Sequence, residues 1–338
     1  MADLRSVFDR EVLASFQNPQ PLANAKFYQS GAFATSPQLR PLVTSGATKI
    51  DVPFINPIDG NLESNYGNTI FTDIAMPRKI DGGRSTARVA FLNEGFVESR
   101  LEAYLAGESP LSMIAGMLDG MWAQQADNRA IASLIGVLNA DQGGDKALIT
   151  DISKATATEA TGFGVDAFLD AEGTLSEAYQ GTGAMIVHPL IATKLRKQQL
   201  VERVTTSANL PPVEYYNGRQ VIVSKKGTQI GTGANAKFVT FLLGNGAVAA
   251  DVVRGNDDLE LERTASTGNG AGHTVLWTRR NMLIHPQGFS FVADDSTLTG
   301  GTVNEALSAS WSDLTTAANW RRDADAEQIP VRFLITNL

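Results

Sequence analysis

SPLSMIAGMLDGMWAQQADNRAIASLIGVLN, residues 109–139, is the stretch around which the rest of the chain is organised. Leu111, Ile114, Leu118, Met121 and Trp122 recur at the three-and-four spacing of one helix face, and Ile131, Leu134, Ile135 and Leu138 resume it. Ser109 is suited to capping the first turn, and Pro110 follows with its φ already helical. The spacing predicts a single helix over 109–139. At about 1.5 Å per residue it would be roughly 45 Å long, well above the usual length. Gly116 and Gly120 are weak points, each costing about 1 kcal/mol relative to Ala, so a bend is expected near them.

Composition bounds the function classes. The chain has 338 residues, enough for two domains of ordinary size; 43% are hydrophobic and 19% charged. A formal net charge of −8 argues against tight, sequence-independent binding to nucleic acid, which rests on cations at phosphates. There is no cysteine, which excludes disulfides, thiolate metal sites and cysteine nucleophiles. Charged residues crowd the first turns, so no signal peptide is read there, and no apolar run approaches the length of a membrane span. A soluble protein made in the cytoplasm is expected.

Upstream of the helix lie two unusual segments. Residues 1–46 hold a short amphipathic stretch, then three prolines between 19 and 37 among Ser, Gly and Ala. This reads as an extended arm with Phe27, Tyr28, Phe33 and Leu39 as anchors. Residues 47–95 read as a long β-hairpin: Ile50, Val52 and Phe54 alternate on the way out, and Ala87, Val89 and Phe91 on the return. A two-stranded hairpin of this length is marginal in isolation, so a neighbouring molecule is expected to order it. Arg78, Lys79, Arg84 and Arg88 cluster on its return half, against Asp73 and Asp81, and read either as a solvated loop or, more sharply, as a basic tip that docks on an acidic neighbouring subunit.

Downstream, the polar stretch 141–164 reads as a linker, and 165–250 as alternating helices and strands. Residues 257–292 form a long antiparallel pair; the tail reads as a helix bearing Leu307, Trp311, Leu314 and Ala318, then a final strand. Tests for chemistry fail. GTQIGTGANAK (227–237) lacks the spacing of a phosphate loop, and the three histidines, His188, His273 and His285, are far apart with no metal-ligand pattern. DADAE (323–327) reads as a solvated turn, and Lys194, Arg196, Lys197 and Arg203 as a solvated or subunit-facing patch. No catalytic, cofactor-binding or metal-binding residues are assigned. An enzyme is not expected.

The order of several segments resembles the major capsid proteins of tailed bacteriophages with the Hong Kong 97-type fold. They are YQSGAFATSP (28–37), IDVPFINPIDGNLE (50–63), LAGESPLSMIAGMLDGMWAQQADNRAIASLIGVL (105–138), IVHPLIATKLRKQQLV (186–201), YYNGRQVIVSKK (215–226), FLLGNGAVA (241–249), RRNMLIHPQGFSF (279–291) and AANW with IPVRFLITN (317–337). The resemblance implies an α+β fold: an N-terminal arm (1–46), an extended loop (47–95) and a peripheral domain (96–164) with its spine helix. An axial α/β domain (165–250) and peripheral return strands with a C-terminal helix and strand (251–338) complete it. It implies a subunit that assembles with itself into pentamers and hexamers of an icosahedral virion head around double-stranded DNA, contacted without sequence specificity, with no membrane. It also implies a portal and decoration or cement proteins as partners, and either a separate scaffolding protein or none. On this resemblance Arg78, Lys79, Arg84, Arg88, Phe27, Tyr28 and Phe33 are inter-subunit contact residues. An encapsulin-like compartment of the same fold is the alternative.

Overall fold

The computed structural model describes residues 30–35, 39–55, 63–77, 82–101, 111, 114, 117–204, 213–233, 235–300 and 307–338. Two sheets and one long helix carry the architecture. A five-stranded sheet is built from β1 (Phe33–Ala34), β2 (Lys49–Ile55), β3 (Gly82–Ser99), β11 (Val248–Thr264) and β12 (His273–Pro286), in the order β1-β11-β12-β3-β2. An eight-stranded sheet runs β4 (Ile149–Asp151), β15 (Val331–Thr336), β10 (Lys237–Leu243), β5 (Ala184–Val187), β8 (Arg219–Val223), β7 (Val213–Tyr216), β6 (Glu202–Val204), with β9 (Gln229–Ile230) paired to β10. A small pair, β13 (Phe289–Phe291) and β14 (Trp320–Arg322), completes the strands. The fold is mixed α+β.

The long helix, α2, spans Leu118–Gln142 and is preceded by a short helix α1, Leu39–Thr44. α2 therefore begins nine residues later than the periodicity predicts. Leu111 and Ile114 are helical, but Met117 donates its N–H to Ile114 O at 2.8 Å and caps the new helix. The proposed cap at Ser109 and Pro110 lies outside the described residues. Of the predicted face, Leu111, Leu118, Trp122, Ile131, Leu134 and Leu138 are buried and Ile114, Met121 and Ile135 partly so. Ala126, Ala130 and Val137, not read from sequence, join them in a core shared with both sheets.

The eight-stranded sheet is covered on both faces, so its strands read as continuous apolar runs. Along β10, Val239, Phe241 and Leu243 face the α2 side, while Phe238 and Leu242 face helices α3 (Val165–Gly173) and α4 (Pro189–Lys197). Strand β15 alternates the same way and lies between β4 and β10. This corrects the domain division read from sequence, which returned all of 251–338 to the peripheral unit and treated 141–164 as a linker. The last strand and β4 both belong to the sheet of the 165–250 region. A pairing across some 90 residues of chain leaves no local signal.

Two further corrections concern isolated elements. The C-terminal helix α5 is only Trp311–Thr315, closed by a capping box between Ser310 and Asp313; Leu314 is buried, but Leu307 and Trp311 are largely exposed. The extended hairpin is also less isolated than expected. β3 is one unbroken strand whose first half pairs β2, Arg88 opposite Lys49, and whose second half pairs β12, Val89 opposite Leu283. Its root is therefore core: Ala87 and Val89 are fully buried with Leu39 and Val43 of α1.

Candidate assembly surfaces

Between β2 and β3 the chain leaves the core, and residues 63–77 have no regular structure. What order they have is local. Asn68 Oδ1 accepts from Ile70 N at 2.9 Å, the Asn68 amide donates to Asp73 at 2.5 Å, and Asp73 N donates to Ile70 O at 3.1 Å. Tyr66 donates its hydroxyl to Glu63 at 3.0 Å. These bonds close a turn with an aromatic at its apex. Phe71 is 100% exposed, Met76 84% and Ile74 82%, with Tyr66 and Ile70 also open to solvent. No stretch of the described chain exposes more large apolar residues in succession. Transfer of each such side chain out of water is worth about 1.5–3 kcal/mol, so covering this segment would be strongly favourable.

The hairpin's direction is set at its root. Arg88 Nη1 lies 2.8 Å from Asp295 Oδ1 with its side chain only 4% exposed, and its Nε donates to Leu307 O at 3.0 Å. Lys49 reaches the same carboxylate at 3.5 Å. Thr86 N donates to Ser290 Oγ and Phe91 N to Ser308 Oγ, both at 2.9 Å. The Arg88 hydrogen bond holds the Asp295 carboxyl below the usual range.

Among the residues singled out from sequence, Arg84 is exposed, 4.0 Å from Asp51, as a basic surface position should be. Arg88 is not: it is an internal strut, because its position on β3 points into the root. Phe33 lies in β1, paired in parallel with Val248 and packed partly buried on the chain's own core. Phe27, Tyr28, Arg78 and Lys79 lie outside the described residues. Sequence reading missed Tyr66, Ile70, Phe71, Ile74 and Met76. The signal was there: large apolar residues in a turn-rich stretch of Asn, Gly and Asp with no strand or helix period to use them.

The remaining polar clusters are structural. His188 caps α4, its Nδ1 accepting from Leu190 N at 3.2 Å, and its ring lies against Phe238. His285 Nε2 donates to Phe289 O at 2.6 Å and the ring stacks on Trp320; burial pulls its pKa down to about 4. Asp323, within DADAE, bonds Ser290 and Arg321. Two buried arginines stitch the eight-stranded sheet to its surroundings. Arg219 pairs with Glu172 at 3.0 Å and donates to three backbone carbonyls, and Arg332 bonds Thr174, Ala326, Ile329 and Val331. Among the described residues no group of three or more His, Asp or Glu side chains is placed to hold a metal ion, and no helix is long and apolar enough to cross a membrane.

No protein-family model matches the chain, and no curated protein matches it by sequence. Solved structures do. A chain in the capsid of Ralstonia phage GP4 superposes with a TM-score of 0.57 at 10% identity, covering 91% of this chain and 88% of that one. A chain in the acidic stable capsid structure of Helicobacter pylori bacteriophage KHP30 gives 0.53 at 10% identity, over 95% and 92%. One in the capsid asymmetric unit of Cyanophage Pam1 gives 0.50 at 9% identity, over 90% and 88%. Identity this low establishes architecture, and across almost its whole length this chain has the fold of bacteriophage capsid subunits.

Proposed function

We propose that this chain is the major capsid protein of a tailed bacteriophage, of the Hong Kong 97-type fold, and that copies of it form the pentamers and hexamers of an icosahedral head around double-stranded DNA. The observation that carries the proposal is the segment 63–77, which exposes Tyr66, Ile70, Phe71, Ile74 and Met76 on a pre-formed turn at the end of a hairpin rooted in the core. A free monomer gains nothing from such a segment. A shell subunit gains a contact with its neighbour, repeated at every lattice position, so that many modest contacts act together. The structures sharing the fold come from phage capsids, which favours a virion over an encapsulin-like compartment. On this reading the five-stranded sheet and α2 are the peripheral domain, and the eight-stranded sheet with α3 and α4 is the axial domain. The subunit works by its edges and catalyses nothing. Scaffolding, portal and decoration proteins are its expected partners.

The test is to purify the chain alone and with the other structural proteins of its virus, and image both by negative-stain electron microscopy beside a Phe71→Ser, Ile74→Ser variant. Shells or capsomer rings from the parent, and dispersed subunits with an unchanged melting curve from the variant, are expected. A parent that stays monomeric under both conditions would overturn the reading.

A further inference from the structure

The eight-stranded sheet has two free edges of opposite character. Among the described residues, β4 pairs only with β15, and β6 only with β7. Helix α3 packs over β15 and β4, at the first edge. There Asp151, Glu159, Asp166 and Asp170 are exposed, and Val165 and Leu169 lie beside them at 42% and 50% exposure. Helix α4 packs over β8, toward the second edge. That edge presents Arg196, Lys197 and Arg203, with Leu190 at 47% and Val204 at 45% exposure. Each edge has its minority charge. Lys154 follows β4, and Glu202 begins β6, while Glu214 is engaged by Arg196 at 2.7 Å and Arg203 at 3.3 Å.

We propose that these two edges are the two halves of one contact, in which the acidic α3–β4 edge of one copy docks on the basic α4–β6 edge of the next. The occupant is a second copy because the complement of each edge is found on the same chain, the strands β4 and β6 standing at opposite ends of the strand order. Opposite charges set the register and suppress wrong pairings, and the paired aliphatic residues supply the surface removed from water. A contact between two different patches, repeated by rotation, closes into a ring. The inference rests on the shell reading above and gives the ring contact its residues.

The test uses two charge reversals in the full chain. Asp166→Lys with Asp170→Lys makes both edges basic; Lys197→Glu with Arg203→Glu makes both acidic. None of these four residues is buried, so each variant is expected to melt as the parent does, and Lys197→Glu alone serves if the second pair disturbs the fold. Each variant alone should lose at least tenfold in rings or shells by sedimentation and negative stain. An equimolar mixture should regain rings, but only even-membered ones, because unlike edges then meet only where the two variants alternate. Hexamers return and pentamers do not. Either variant assembling as well as the parent, or a mixture no better than its folded components, overturns the contact while leaving the shell reading intact. A parent that never assembles overturns both.

Discussion

Two glycines in α2 separate intrinsic helix propensity from packing, and the same substitution at each should move stability in opposite directions. Replacing a helical glycine by alanine is worth up to about 1 kcal/mol from propensity alone. At Gly120 a Cβ would meet no heavy atom within 4 Å, so Gly120→Ala should keep most of that gain. At Gly136 a Cβ would run into Leu314 O and Trp320 Nε1, the two ends of a buried hydrogen bond of 2.7 Å. Neither end can retreat cheaply. Both residues are 6% exposed, and the Trp320 ring is held edge-on by Phe291 and stacked by His285. Overpacking a closed site costs about 1–3 kcal/mol, and a buried donor left without its acceptor about 1–3 more. After the propensity gain is subtracted, Gly136→Ala should lose about 1–5 kcal/mol, centred near 3. Urea unfolding followed by circular dichroism is the assay. With a slope of about 3 kcal/mol per M, the midpoint should fall by roughly 1 M for Gly136→Ala and rise slightly for Gly120→Ala. A Gly136→Ala protein as stable as its parent would mean that α5 and β14 do not close on α2 as described.

Trp122→Ala should cost about 3–5 kcal/mol, since the ring is 1% exposed and its Nε1 donates to Thr278 Oγ1 at 3.1 Å; a thermal melt near that of the parent would refute the burial. His285 gives a pH dependence of defined sign. Its folded pKa of about 4 lies below the ordinary 6.5, so the unfolded chain takes up the proton first as pH falls. Stability should be independent of this group above pH 6.5, fall by about 3 kcal/mol in total down to pH 4, and level off below; urea midpoints of His285→Asn should lack that component. Asp295→Asn removes the carboxylate that Arg88 and Lys49 share at the hairpin root. Hydrogen exchange across 82–91 should then quicken while that of α2 stays unchanged, and an unaltered rate at 82–91 would show that the root is held by other bonds.

What was legible in the sequence was whatever a local period writes. The buried face of α2, the alternation along β3, β11 and β12, and the apolar runs of β5 and β10 all follow from side chains repeating at 3.6 or 2 residues. The same local rules read a start at Ser109, which lies outside the described residues, whereas the long helix begins at Leu118 behind its cap at Met117. The misreadings share a cause: each depended on a partner distant in the chain. β15 looks like a generic apolar strand until β4 and β10 flank it, and Arg88 looks like one more surface cation until Asp295, 207 residues on, meets it at the hairpin root. The exposed turn at 63–77 is the inverse case. Its apolar residues serve no element of their own chain, so reading for a single fold passes over them, whereas reading for an assembly makes them the most informative side chains present. A subunit whose contacts lie between copies must carry sequence that its own folding does not explain. On the assembly proposed above, Phe71 at the apex and the opposite charges on opposite edges of one sheet are of that kind.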